Sequence, residues 1–292
     1  MGKPRNLPPR VVRAGLVTQR LGLGGPMSLS RSRRYLDRLA RGLPFPGGVS
    51  RDWTMLGGRR TLRLTPVDAH PDAAVLYLHG GAYTVGSAVS YSSLGGFLAA
   101  ASSATVYLPD YRLAPEDPFP AALDDARAAY LELRDRRAHV VVGGDSAGGG
   151  LSVAAARAVI DAGAPAPIAL VLASPWVNLA QRSERPRDHV VSDKWGQTSA
   201  AMYAGSIGVL DSRVSPGLGN LVGLPPTVIH VGTSEILLPQ VREFAVALEA
   251  AGVDVTLREY GWMWHVAHLQ AGLTKPAADA IADFGDFIRA RL

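Results

Sequence analysis

Along most of the chain, short apolar runs alternate with longer stretches whose apolar residues recur every three or four positions. The short runs, at residues 74–78, 105–108, 140–143, 168–172, 227–231 and 253–260, predict strands. Between and after them, residues 94–103, 121–137, 147–163, 239–251 and 276–292 carry helical spacing. Gly163 and Pro165 stop the third of these, and Pro276 opens the last. Residues 51–55 and 59–65 flank Leu56-Gly57-Gly58 and predict an antiparallel hairpin ahead of the alternation. Strands that are apolar throughout, separated by helices, belong in a mainly parallel sheet covered on both faces. The predicted fold is therefore α/β, with eight strands and the hairpin at one edge.

Two segments fall outside the alternation. Residues 1–50 hold one short helical stripe, over 28–41, with Tyr35, Leu36 and Leu39 on its apolar side. Residues 179–224 are rich in Gly, Pro, Arg and aromatics, with a weak helix over 192–206. In an open α/β sheet, ligands bind outside the carboxyl ends of the strands. Both segments are predicted to cover that edge: 1–50 as an N-terminal cap and 179–224 as a cap or lid insertion. Residues 51–178 and 225–292 then form the core.

Composition narrows the chemistry. A chain of 292 residues with 47% hydrophobic and 19% charged residues can bury a large core. The absence of cysteine excludes disulfides, thiolate catalysis and Cys-ligated zinc. The N-terminus lacks the apolar run of a secretory signal, and no stretch approaches the roughly 20 apolar residues of a membrane span. A cytoplasmic protein without stable membrane insertion is the expectation. The net charge of +5 is carried almost wholly by arginine, clustered at 31–34 and 134–137. Those clusters follow amphipathic helix spacing without interleaved aromatics, so they read as solvated faces and no nucleic-acid partner is expected. No H-E-x-x-H, P-loop or strand-linked G-x-G-x-x-G is present, so no metal or nucleotide cofactor is expected.

The apolar run at 140–143 leads into Gly144-Asp145-Ser146-Ala147-Gly148, a G-x-S-x-G motif followed by a small-residue helix. A serine on such a strand-to-helix turn projects its hydroxyl above the sheet edge. The helix N-terminus, including the Ala147 N–H, faces the place where negative charge would develop. A nucleophilic serine needs a base, and the order Ser, acid, His places it after the last strand. Two histidines qualify, His265 and His268. His265 comes first in its loop and is preferred, and His230, inside a strand, reads as a core residue. The acid belongs in a loop past an earlier strand, where Glu235 is the one carboxylate between 232 and 235. Asp211 precedes that strand, and Glu243 lies in the following helix. His79-Gly80-Gly81-Ala82-Tyr83, directly after the run at 74–78, can turn backbone N–H groups toward a bound carbonyl.

These motifs, together with Tyr111-Arg112-Leu113-Ala114-Pro115-Glu116 and Ser174-Pro175-Trp176, resemble the hormone-sensitive-lipase-like branch of α/β-hydrolase esterases from about residue 50 to the end. Gly223-Leu224-Pro225-Pro226-Thr227 and Ala251-Gly252-Val253 fit it as well. The resemblance implies an α/β-hydrolase fold with a helical cap. It implies a carboxylesterase using Ser146, Glu235 and His265, with an oxyanion hole at Gly80, Gly81, Ala82 and Ala147. Asp145 and Glu116 would be supporting residues. The expected substrate is a small ester of short to medium acyl length. A lactone is the close alternative, and a non-catalytic small-ligand receptor of the same fold the distant one. Partners beyond the substrate are not implied, though a homodimer is compatible.

Two departures stand out. Ala82 replaces the third glycine of the usual His-Gly-Gly-Gly, which predicts a narrower pocket. Glutamate stands where most of the branch has aspartate, so its loop must set back by about one bond length. Trp195, Met202, Tyr203, Ile207, Trp262 and Trp264 predict a compact apolar pocket.

Overall fold

The computed structural model describes residues 5–292. Its sheet begins with the hairpin β1 (Val49–Leu56) and β2 (Arg59–Pro66), closed by Gly57-Gly58. Both glycines have positive φ, 56° and 73°, the geometry of the tight hairpin turn. A Cβ on Gly57 would also lie 2.4 Å from the Ala129 backbone nitrogen, so the turn requires glycine there. The parallel strands follow as β3 (Ala73–Leu78), β4 (Thr105–Pro109), β5 (His139–Asp145), β6 (Ala169–Ala173), β7 (Thr227–Gly232) and β8 (Val255–Tyr260). Their spatial order is β1-β2-β4-β3-β5-β6-β7-β8, with β2 antiparallel to both its neighbours.

Alternation along each strand divides the core in two. Ala74, Leu76 and Leu78 of β3 join one cluster with α4 (Ala121–Arg136), α5 (Ser146–Asp161) and α7 (Leu238–Ala250). Ala73, Val75 and Tyr77 face the other way, against α3 (Ser92–Ser102) and α8 (Lys275–Arg289). Burial on both faces explains why these strands read as continuous apolar runs rather than as alternating ones.

The segment before β1 holds two helices, α1 (Pro9–Arg20) and α2 (Leu29–Ala40). Sequence spacing finds only α2. The missed α1 carries Gly15 at its centre and mixes exposed Val11 and Val17 with buried Val12 and Leu16, which blurs its stripe. Val12 and Leu16 join a third, smaller core with Val190, Met263, Trp264 and Ala267. In residues 179–224 the one α-helix is α6 (Asp193–Ala204), capped by the Ser192 hydroxyl accepting from the Trp195 N–H. No helix among the described residues is long and apolar enough to cross a membrane.

Candidate active site

Register places five loop mouths at one edge of the sheet. Leu78 aligns with Gly144, Asp145 with Ala173, Ala173 with His230, and Gly232 with Tyr260. The segments leaving β3, β5, β6, β7 and β8 therefore converge, and they carry Gly80–Ala82, Ser146, Ser174, Glu235 and His265.

Ser146 occupies the β5–α5 turn with φ of +50°, a left-handed conformation that costs a non-glycine residue on the order of 1 kcal/mol. The turn closes tightly because its flanking residues lack side chains. A Cβ on Gly148 would sit 2.0 Å from the Leu78 carbonyl oxygen, and one on Gly144 2.4 Å from that of Gly148. The glycines of the motif thus permit a three-way backbone contact between β3, β5 and α5.

Asp145, at the end of β5, is buried and ties this turn to the Gly80 loop. Its Oδ1 accepts from the Gly80 N–H at 3.0 Å and its Oδ2 from the Tyr91 hydroxyl at 2.7 Å. Burial pushes its carboxyl up to about 6, against the bonds from Tyr91 and Gly80 and the nearby His265. With the Gly80 N–H committed to Asp145, the Gly81 and Ala82 N–H groups are those without a partner among the described residues. Ala147 adds one of the N-terminal N–H groups of α5, which an α-helix leaves without intrahelical acceptors. Ala82 has φ of +52°, and Gly81, at +115°, lies where only glycine is at ease. The Ala82 side chain is buried in the core cluster that holds Tyr83 and Tyr111, so its methyl packs there.

His79 is stacked on Tyr111 at 4.2 Å and donates to the Gly80 carbonyl from Nδ1. Burial lowers its pKa to about 4, so it is a neutral strut of the loop. Glu116 makes a bidentate pair with Arg33 of α2, whose guanidinium also donates to the Thr84 and Ala114 carbonyls. Glu116 therefore anchors the N-terminal segment to the Gly80 loop.

Glu235 is buried and fully engaged. Its Oε2 accepts from His265 Nδ1 at 2.7 Å, and its Oε1 from the Gly232 N–H at 2.6 Å and the Ser174 hydroxyl at 2.8 Å. The longer glutamate is accommodated by folding back over its own turn, where the Glu235 N–H donates to the Gly232 carbonyl. Gly232 must be glycine, since a Cβ would stand 2.3 Å from the Met263 carbonyl oxygen. Burial lowers the pKa of His265, but the bond and charge of Glu235, with Asp188 and Asp145 beyond, outweigh it and leave the pKa raised.

His268 lies elsewhere. It is buried, stacked on Phe284, with Nε2 3.1 Å from His230 Nδ1, and His230 Nε2 meets Asp283 at 2.8 Å. Burial and the neighbouring His230 ring hold its pKa well below the ordinary value. His230 is the core residue its strand position predicts, with two polar partners that the sequence does not announce.

Ser146 and His265 line one cavity of about 330 Å³, and no hydrogen bond joins their side chains. Catalytic contacts of this kind are commonly loose without substrate. The walls come largely from α1 and α2, through Val12, Leu16, Leu36 and Ala40, and from Val190, Val191 and Trp195. The cavity is compact and apolar, as the sequence predicts, but of the six residues behind that expectation only Trp195 lines it. Trp262 and Trp264 lie outside the lining, with Trp264 Nε1 donating to Gln270, and Tyr203 stacks on Tyr83 instead. From the 179–224 segment, only the stretch through Trp195 reaches the cavity.

Two contributors escaped the sequence. Ser174, with φ of +48°, holds Glu235. Asp188 accepts from the Val190 and Val191 N–H groups through Oδ1 and from the Ile236 N–H through Oδ2, fastening the cover to the acid loop. Ser174 appears in the sequence only as part of the Ser174-Pro175-Trp176 motif, with no role attached, and nothing in the sequence marks Asp188.

The family described as "alpha/beta hydrolase fold" matches residues 75–269. LipR of Mycobacterium tuberculosis is 36% identical over 97% of this chain and 92% of its own length. An acetyl-hydrolase of Streptomyces hygroscopicus is 39% identical over 74% of this chain and 75% of its own. A solved esterase from the bacterial hormone-sensitive lipase family superposes with a TM-score of 0.91 at 32% identity, covering 100% of this chain and 99% of that one. The chain belongs to the α/β-hydrolase family, in its hormone-sensitive-lipase-like branch of esterases.

Proposed function

We propose that the chain hydrolyses carboxylic esters of short to medium acyl length through an acyl-enzyme on Ser146, with His265 as base and Glu235 as orienting acid. The observation that carries this is the 2.7 Å bond from His265 Nδ1 to Glu235, in a histidine that shares its cavity with Ser146. Glu235 fixes the imidazole with its proton on Nδ1, leaving Nε2 to take the Ser146 proton as the hydroxyl attacks the ester carbonyl. The tetrahedral oxygen is received by N–H groups of Gly81, Ala82 and Ala147, and Gly80 serves through its bond to Asp145. His265 returns the proton to the departing alcohol, and water repeats the sequence to release the acid. A cavity of about 330 Å³ with aliphatic walls is at the small end of ligand pockets, which favours short and medium alkyl chains.

The test is Ser146→Ala, assayed on p-nitrophenyl esters from acetate to palmitate alongside fluorophosphonate labelling. The variant is expected to lose the label and turnover by about 10³-fold or more, and the wild-type rate to fall beyond octanoate. Wild-type turnover in the variant would refute the proposal.

A further inference from the structure

The charge of this chain is segregated. Ten of its 30 Lys and Arg lie in residues 1–50, against one of its 25 acidic residues, so this segment carries +9 and the remainder −4. Pairing is segregated too. After residue 50, eleven of eighteen arginines make ion pairs, such as Arg112 with Asp125 and Arg242 with Glu259. Among the described residues before it, only Arg33 does, and seven arginines between Arg5 and Arg41 are exposed with no acidic partner.

Their placement is not random. Arg31, Arg34 and Arg38 are three and four residues apart and form one outward stripe on α2. Arg10 and Arg13 lie on the exposed side of α1 with Val17, which is 60% exposed. The same two helices wall the cavity, and its lip carries exposed Leu7, Val11 and Leu39. No arginine lines the cavity itself, and the cations stand on the outward faces of the two helices whose apolar residues form its lip.

We infer that the outer face of α1 and α2 docks on an anionic lipid surface. Basic side chains near an anionic leaflet each add on the order of 1 kcal/mol of attraction, and exposed Val and Leu among them can enter the headgroup boundary. Sequence spacing alone reads these arginines as a solvated face. The lack of acidic partners and the apolar lip distinguish this face from the paired arginines elsewhere. A nucleic acid would use the charge without the apolar residues, and no exposed aromatic stands here to stack on bases. The docking is peripheral and needs no membrane-spanning helix.

The 292-residue chain is mixed with vesicles of phosphatidylcholine alone, or of equal parts phosphatidylcholine and phosphatidylglycerol, and binding is read by flotation. Binding is expected to the anionic vesicles, at least tenfold weaker to the neutral ones, and weaker with added salt. Arg31→Glu/Arg34→Glu/Arg38→Glu is expected to weaken it about a hundredfold, and Val17→Ser several-fold at unchanged charge. Turnover of p-nitrophenyl butyrate without vesicles is expected to stay within twofold in the triple variant, which shows it folded. Binding is read without turnover, so its result does not depend on the roles of Ser146, His265 and Glu235. No binding to anionic vesicles, or equal binding by the triple variant, overturns the inference. So does vesicle binding indifferent to Val17→Ser and matched by equally tight binding to a short RNA.

Discussion

Glu235→Gln separates orientation from packing at the acid. Oε1 accepts two hydrogen bonds, from the Gly232 N–H and the Ser174 hydroxyl. In the variant only the amide oxygen can occupy that place, because the amino group would meet the Gly232 donor. The amino group must then face His265 Nδ1, where Oε2 now accepts. To meet a donor, Nδ1 must give up its proton, and Nε2 becomes protonated and unable to serve as base. Two of three bonds survive, so the fold should hold, with circular dichroism and melting temperature close to wild type. The corresponding carboxylate-to-amide change in a serine protease lowers kcat by about 10⁴, so a loss of about 10³–10⁴-fold in kcat is expected. At 1.36 kcal/mol per tenfold, that is about 4–5 kcal/mol of transition-state stabilisation.

The pH profile gives an independent readout. As the proposed base, His265 works only when neutral, and Glu235 holds its pKa above the ordinary 6.5 against burial. The acid limb of kcat/KM for wild type should therefore have its midpoint above 6.5. In the variant, burial is opposed only by the more distant Asp188 and Asp145, and the midpoint should fall. Turnover of p-nitrophenyl butyrate across a pH series measures both. A variant within tenfold of wild-type kcat, with an unmoved acid limb, would refute the assignment of Glu235.

Three further outcomes follow from the same geometry. Folding lifts Asp145 from 3.8 to about 6, so the unfolded chain releases this proton first, and the group's contribution to stability falls as pH rises through that window. Asp145→Asn, with its oxygen toward the Gly80 N–H, should gain on wild type by roughly 2–3 kcal/mol between those pH values in urea denaturation, and a pH-independent difference would contradict this. His268→Ala should lose about 2–4 kcal/mol of stability from the cavity beside Phe284 yet keep kcat, whereas His265→Ala should lose kcat by about 10³-fold or more. The reverse pattern would make His268 the base. Leu36→Trp, intruding on the cavity, should shift the acetate-to-octanoate selectivity toward acetate by about tenfold, and an unchanged ratio would mean the acyl chain lies elsewhere.

The central strands β3 to β7 were legible because burial on both faces leaves long apolar runs, and the helices after β3 because most pack one apolar stripe on the sheet. The hidden parts depend on contacts distant in sequence. α1 owes its place to Val190, Met263 and Trp264, which no local pattern of residues 9–20 discloses. Ser146, His265 and Glu235 were found through their order relative to strands. Asp188 could not be, because its meaning comes from a bond across 48 residues to Ile236. The cavity is apolar as expected, but most of the residues behind that expectation lie elsewhere for a related reason. Aromatic residues near the site in sequence found partners away from it, Trp264 in Gln270 and Tyr203 in Tyr83.

The bond from Asp188 to the Ile236 N–H bears on how such enzymes can be recombined. It makes the covering segment part of the scaffold beneath the acid, one residue from Glu235. A cover transplanted from a relative to change substrate range would bring new walls and also remove one of the supports of that loop. Chimeras that preserve a carboxylate at this position should tolerate the exchange, and those that discard it should lose rate with every substrate alike. With Glu235 as the proposed acid, selectivity and catalytic competence are not independent modules in this chain, because one polar contact belongs to both.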